Sequence, residues 1–210
     1  MAANDIVDGC YDSADFPNNG FCALFTRNRT AGSPTFLGFN SFAVAPVNFA
    51  KFESRGIDFQ ANYRFPLGSD AGNITARIAG TYLLRALTFT SVSDPTSNDP
   101  FIGEAQSPEV AFNTGLAWDK DGLRISWESF WQSKQYYQGI DAENPSGFAE
   151  PNRDGNFWSH DLNASFALND QFTIRGGINN LTDERPFKAE AAYPVSAVGR
   201  NYFVGVTAKY

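Results

Sequence analysis

Residues 54–65 read SRGIDFQANYRF. Ile57, Phe59, Ala61, Tyr63 and Phe65 alternate with Gly56, Asp58, Gln60, Asn62 and Arg64. Successive side chains of an extended chain point to opposite sides, so this stretch is a strand with one apolar and one polar face. A helix would need apolar residues at i, i+3, i+4 and i+7, and no segment of the chain sustains that spacing.

The same alternation recurs along the sequence. NITARIAGTYLLRALTF (73–89) sets Ile74, Ala76, Ile78, Gly80, Tyr82 and Leu84 against Thr75, Arg77 and Thr81. EVAFNTGLAW (109–118) sets Val110, Phe112, Thr114, Leu116 and Trp118 against Asn113 and Gly115. GLRISWESFWQSKQYY (122–137) sets Leu123, Ile125, Trp127 and Trp131 against Arg124, Ser126, Glu128 and Gln132. FWSHDLNASFAL (157–168), QFTIRGGINN (171–180) and the run from Asn201 to Tyr210 follow the same rule, with Asp161, Asn163, Arg175 and Lys209 on their polar sides. Seven strands are expected, and TFLGFNSFAVA (35–45) is a weaker eighth. Their connections alternate in length. PLGSDAG, DKDG and LNDQ are tight turns, whereas 90–106, 138–155 and 183–198 are long and rich in Asp, Asn, Pro, Ser and Glu. Tight turns at one end, long loops at the other and aromatics near the strand ends describe an up-and-down antiparallel barrel that crosses a membrane. A soluble β-sandwich accounts for the alternation equally well, but less well for the loop asymmetry. The polar row Asp58, Gln60, Asn62, Arg64, Arg77, Glu128, Asp161, Asn163, Arg175 and Lys209 suits the hydrated or plugged interior of a large barrel.

Composition narrows the function. The formal net charge is -7. With no basic stripe to neutralise phosphates, nucleic acid is not expected as a partner. No apolar run has the length of a membrane-spanning helix, and MAANDIVDGC lacks the basic and apolar regions of a secretory signal. Cys10 and Cys22 are the two cysteines, in GCYDSADFPNNGFC, a loop without metal or redox spacing. A local disulfide formed in an oxidising compartment is the expected reading, two free thiols the other. No catalytic constellation is visible, so an enzyme is not expected. His160 shares its strand face with Trp158 and Leu162 as a packing or interfacial residue, and Ser129 and Ser133 lack a histidine at useful spacing. Asp141 and Glu143 sit in GIDAENPSG, which does not fit a calcium loop. No cofactor or metal is expected.

The end of the chain carries a resemblance. INNLTDERPF, then a loop, then GRNYFVGVTAKY resembles the C-terminal part of TonB-dependent outer-membrane receptors. The matching positions are Asn180, Leu181, Thr182 and Asp183, then Gly199 and Arg200, then the closing signal Gly205 through Tyr210. Upstream, Asn48, Ala50, Gly56, Ile57 and Asp58 are similar to another strand motif of that family, and the Cys10–Cys22 segment looks like one of its extracellular loops. Tyr210 departs from the usual final Phe.

The resemblance implies the C-terminal segment of a 22-stranded transmembrane barrel in the outer membrane of a Gram-negative bacterium. Its organisation would be an extracellular loop region over 1–50, barrel strands over 51–210, and no plug domain in this stretch. It implies a barrel portion that takes part in active uptake of a scarce nutrient, such as a siderophore, cobalamin or a glycan. Implied partners are outer-membrane lipid, the barrel-assembly machinery reading Gly205, Ala208 and Tyr210, and TonB and a plug through the rest of such a receptor. Candidate ligand contacts are Trp131, Tyr136 and Tyr137 for stacking, and Arg153, Arg185 and Lys188 for an anionic group. For the aromatics the competing role is an interfacial girdle or loop packing; for the basic residues it is a solvated surface. The alternative functions are a small independent outer-membrane barrel and a soluble all-β binding module. Standing alone, seven strands would leave two open edges, so the expectation is that the chain by itself forms no stable transporter.

Overall fold

The computed structural model describes residues 3–44, 51–68, 70–89, 94, 96–147, 149–188 and 192–209. An α-helix, α1 (Ala3–Tyr11), and a 3-10 turn at Gly20–Leu24 precede β1 (Phe25–Arg27), β2 (Phe39–Phe42), β3 (Lys51–Pro66), β4 (Asn73–Phe89), β5 (Asp99–Pro100) and β6 (Val110–Lys120). There follow β7 (Leu123–Gln132), β8 (Gln135–Tyr136), β9 (Arg153–Asp154), β10 (Phe157–Ala167), β11 (Phe172–Asn179) and β12 (Asn201–Ala208). The chain divides into two compact units, 1–53 with 86–100, and 54–85 with 101–210.

The main sheet runs β12-β11-β10-β7-β6-β4-β3, with β5 beside β4. Each long strand therefore pairs with its neighbours in sequence, which is an up-and-down meander; among the described residues no pairing joins β3 to β12. All seven strands expected from alternation are present. The β4 boundaries coincide with the apolar–polar alternation over 73–89. β7 ends at Gln132, earlier than the run to Tyr137 suggests. Beyond it, the Ser133 hydroxyl accepts from the Val110 N–H at 3.2 Å, and Lys134 N–H turns to Asn156 Oδ1 at 3.0 Å.

The tight turns have local causes. Asp121 (φ 48) and Gly122 (φ 81) join β6 to β7 between the paired residues Lys120 and Leu123. Two left-handed residues make the hairpin turn whose twist matches the flanking strands, and Asp-Gly favours it. Between β10 and β11, Asn169 Oδ1 accepts from Gln171 N–H and Phe172 N–H, both at 2.9 Å. Between β3 and β4, Leu67 N–H donates to Gly72 O at 2.9 Å, and Trp118 Nε1–H donates to Ala71 O at 2.7 Å. The opposite ends of the strands carry the long connections β4–β6, β7–β10 and β11–β12.

The first unit departs from a plain loop. Residues 3–11 form a helix that the sequence reading did not find, because its buried residues Ile6, Gly9 and Cys10 span barely one turn. The weak strand candidate over 35–45 contributes only β2, which pairs with β1 in a separate two-stranded sheet. Cys10 and Cys22 are joined in a disulfide, and no cysteine is free. Asn19 braces that link: its Oδ1 accepts from Phe21 N–H and Cys22 N–H, and its Nδ2–H donates to Cys10 O at 3.0 Å. The Arg27 guanidinium lies 4.1 Å over the Phe39 ring. Replacing Cys10 and Cys22 together by serine is expected to destabilise this unit by about 3 kcal/mol, the usual order for a short bridged loop. Limited proteolysis should then cut within residues 12–21, and equal resistance with and without the disulfide would refute this role.

No described helix is long and apolar enough to cross a membrane, which has no bearing on crossing by strands.

Candidate functional site

The second unit's sheet has two chemically different faces. On one, Ile57, Tyr63, Leu116, Ile125, Trp158, Leu162, Ile174, Val204 and Val206 are exposed, Val204 to 85%. Cross-strand register keeps these side chains on one side: Leu116 opposite Trp127, Trp127 opposite Leu162, Ile174 opposite Val206. His160 belongs to this face, its ring 5.6 Å from Trp127 and 5.5 Å from Trp158. Trp158 Nε1–H donates to Ser129 Oγ.

The other face is polar and ordered in rows. Arg77, Gly115, Glu128 and Asp161 lie on one row across four strands. Arg77 reaches over Gly115 to pair with Glu128 at 2.6 Å. A Cβ on Gly115 would meet Arg77 Nε at 2.6 Å, so the glycine is what lets the ion pair skip a strand. The next row holds Ala79, Asn113, Phe130 and Ser159. Gln60 and Asn62 of β3 complete the lining of a hollow of 370 Å³ above these rows. Toward the tight turns, Asp119, Arg124, Ser165, Arg175 and Gly205 form a further row. There Arg124 donates to both Asp119 oxygens at 2.7 and 2.9 Å. On β4, Thr81 donates to Asp58 Oδ1 at 2.6 Å. Two aromatics, Phe130 and Phe203, share the polar face, which the sequence reading left unassigned.

At the long-loop end the connections pack against one another. Gln132 and Gln135 are each 1% exposed, and the Tyr193 hydroxyl donates to Gln132 Oε1 at 2.9 Å. Phe187 stands edge-on to Phe157 at 5.7 Å and to Tyr193 at 6.0 Å. A second knot lies at the mouth of the β11–β12 loop. Asn180 is 3% exposed with φ 53. Its N–H donates to Asp161 Oδ1, its Nδ2–H to Glu184 O, and its Oδ1 accepts from Glu184 N–H. Asp183 Oδ1 accepts from Arg200 N–H at 2.8 Å, and Arg200 Nη1–H donates to Leu181 O. The segments Asn180–Asp183 and Gly199–Arg200 thus form one hydrogen-bonded clasp. In the loop after β4, the Thr96 hydroxyl and then its N–H, both bonded to Asp94, hold that carboxyl below its ordinary pKa.

The ligand contacts expected from sequence are distributed unequally. Tyr136 is paired with Arg153 across β8–β9, and Tyr137 N–H donates to Asn152 O at 3.0 Å. Tyr136 and Arg153 share one small sheet in the β7–β10 loop, and Tyr137 follows directly after it. Arg185 and Lys188 are exposed on the β11–β12 loop. Trp131 lies on the apolar face, 5.1 Å from Phe112 and opposite Trp158. Of the residues expected from sequence to signal assembly, Gly205 lies within β12 and Ala208 ends it; Tyr210 lies outside the described residues, as do Asn48 and Ala50.

A twisted antiparallel meander with one apolar and one polar face, turning tightly at one end, is the wall of a membrane β-barrel. A family model for the β-barrel of TonB dependent receptor-like proteins matches residues 13–181, and the chain belongs to that family. Similar solved structures include a mutant ferric enterobactin receptor from Pseudomonas aeruginosa, 15% identical with a TM-score of 0.49, covering 88% of this chain and 25% of that one. The copper transporter OprC is 15% identical with a TM-score of 0.45, over 75% of this chain and 23% of its own. FpvA of P. aeruginosa, bound to heterologous pyoverdines, is 13% identical with a TM-score of 0.46, over 88% and 22%. The chain spans about a quarter of the length of these structures. No curated protein matches it significantly.

Proposed function

We propose that this chain supplies part of the barrel wall of a TonB-dependent receptor that takes up a scarce nutrient across the outer membrane. The continuous exposed apolar face carries this reading. Such a surface is costly in water and stable in lipid, while the polar face opposite suits a hydrated passage. In this reading the apolar face meets lipid, the polar rows face the lumen and a plug, and coupling to TonB runs through the rest of the receptor. The chain performs no covalent chemistry. A siderophore, cobalamin or a glycan would be met by the long loops, with Tyr136, Tyr137 and Arg153 acting together and Arg185 and Lys188 contributing from the β11–β12 loop. Trp131 would serve as an outer aromatic girdle rather than a ligand contact, since it stands with Phe112 and Trp158 on the apolar side. Gly205, Ala208 and Tyr210 would be read during barrel assembly.

Orientation provides the test. Both native cysteines are bonded, so an introduced thiol is the single reactive one. Glu143→Cys in a long loop should react with a membrane-impermeant maleimide on intact cells. Asp170→Cys in a tight turn should react only after permeabilisation. Equal labelling of both on intact cells would remove the proposal.

A further inference from the structure

We infer that the free edge of β12 takes an antiparallel strand with an Asp or Glu beside Gly205, and that this carboxylate pairs with Arg175. The inference rests on the reading of the sheet as barrel wall, and adds the register and charge of the next strand.

The sheet contains the same arrangement with all its parts present. Arg77, Gly115 and Glu128 are cross-strand neighbours on β4, β6 and β7. The arginine lies across the glycine, its Nε 2.6 Å from where a Cβ would stand, and pairs with Glu128 at 2.6 Å. Arg175 on β11 repeats the first two parts, for it is the cross-strand neighbour of Gly205 on β12. Its Nε lies 3.1 Å and its Cγ 3.6 Å from the place of a Cβ on that glycine. An arginine reaching into water would stand off the sheet. This one lies along it, across the glycine and toward the free edge.

No acid within the sheet is left for it. The row runs Asp119, Arg124, Ser165, Arg175, Gly205. Both Asp119 oxygens accept from Arg124, at 2.7 and 2.9 Å. Among the described residues the Arg175 side chain has no hydrogen bond or ion pair. The row therefore ends at β12 with one positive charge unmatched.

Strand direction says where the acid comes from. β3 and β12 stand at the two ends of a seven-strand order. Neighbours in the meander alternate in direction, so these two edges run the same way. A second copy inserted the same way round offers both its edges in that direction too. An antiparallel partner is therefore a strand from the rest of the receptor, and the ion pair would pin its register, which backbone pairing alone leaves free to slip.

The test uses the full chain in zwitterionic micelles. The probes are nine-residue peptides alternating threonine and valine, with glutamate, glutamine or lysine at the centre. Amide shifts along β12 report binding at its edge. The glutamate peptide should bind about fivefold tighter than the glutamine peptide, the upper range for an exposed ion pair, and the lysine peptide should bind weakest. Added salt should shrink the difference. Arg175→Gln should abolish it, as should Gly205→Val, whose side chain fills the path of the guanidinium. Arg64→Gln removes the same charge from β3 and should leave it intact. Equal binding of the glutamate and glutamine peptides would overturn the inference while leaving the edge open to pairing, so the wall reading would stand. A glutamate preference that survives Arg175→Gln, or binding by no peptide, would overturn it as well, and the cysteine labelling judges the wall separately.

Discussion

Replacing Asn180 by alanine is expected to cost about 3 kcal/mol and to loosen the β11–β12 mouth before the rest of the sheet opens. Two effects add. The side chain satisfies both backbone groups of Glu184, so alanine leaves that N–H and C=O without their partner. Partly buried orphans of this kind cost about 1–3 kcal/mol. The backbone is also left-handed, φ 53, a conformation that asparagine tolerates and alanine resists by about 1 kcal/mol. Asn180→Gly separates the two, because it removes the bonds while relieving the strain, and it should sit between wild type and alanine. Amide exchange at Asp183, Glu184 and Asn201 in micelles provides the measurement. Unchanged exchange in Asn180→Ala would show that the clasp does not hold the loop mouth.

Gly72→Ala should be comparably damaging at the opposite end. Gly72 has φ 82, and a Cβ there would overlap the Asp119 carbonyl oxygen and stand 2.9 Å from Lys120 Cβ. Neither neighbour is a flexible side-chain tip, so the β3–β4 turn must part from the end of β6. A loss of about 2–4 kcal/mol is expected from strain plus overlap. Gly68 provides the control: its φ is 109, but nothing lies within 4 Å of the missing Cβ. Gly68→Ala therefore reports the backbone strain alone. Denaturant midpoints of the two variants should differ, with Gly72→Ala lower; equal midpoints would mean that the close approach to β6 carries no weight.

The strands were legible because each is long enough for period-two alternation to accumulate. β10 keeps the pattern over nearly its full length and β4 over its first ten residues, and those faces came out as read. β1, β8 and β9 have two or three residues and leave no such trace. They exist through tertiary pairing, as when Tyr136 meets Arg153 from beyond a long loop. α1 escaped for a related reason, since the helix buries only Ile6, Gly9 and Cys10. The members of the polar hollow were legible one at a time: Gln60, Asn62, Asn113 and Asp161 all fell on polar positions. Their convergence was not, because it depends on the register of β4, β6, β7 and β10, which alternation leaves free. The glycine at 115 illustrates the gap. Only register shows that it lies between Arg77 and Glu128. The motif around Asn180 was recognisable by resemblance, yet its work, fastening Glu184, Asp183 and Arg200, needed coordinates.

That fastening separates two thermodynamic accounts. Joining β11 to β12 through the 180–200 excursion carries a closure entropy that rises with loop length, by only about 0.6 kcal/mol per doubling once the ends are fixed. The clasp fixes them, since Asp183 holds the Arg200 N–H and Asn179 Nδ2–H meets Asn201 Oδ1. Residues beyond it can therefore be lengthened, shortened or rewritten with little effect on strand register. Evolution can explore the exposed loop around Arg185 and Lys188 while the wall beneath stays unchanged.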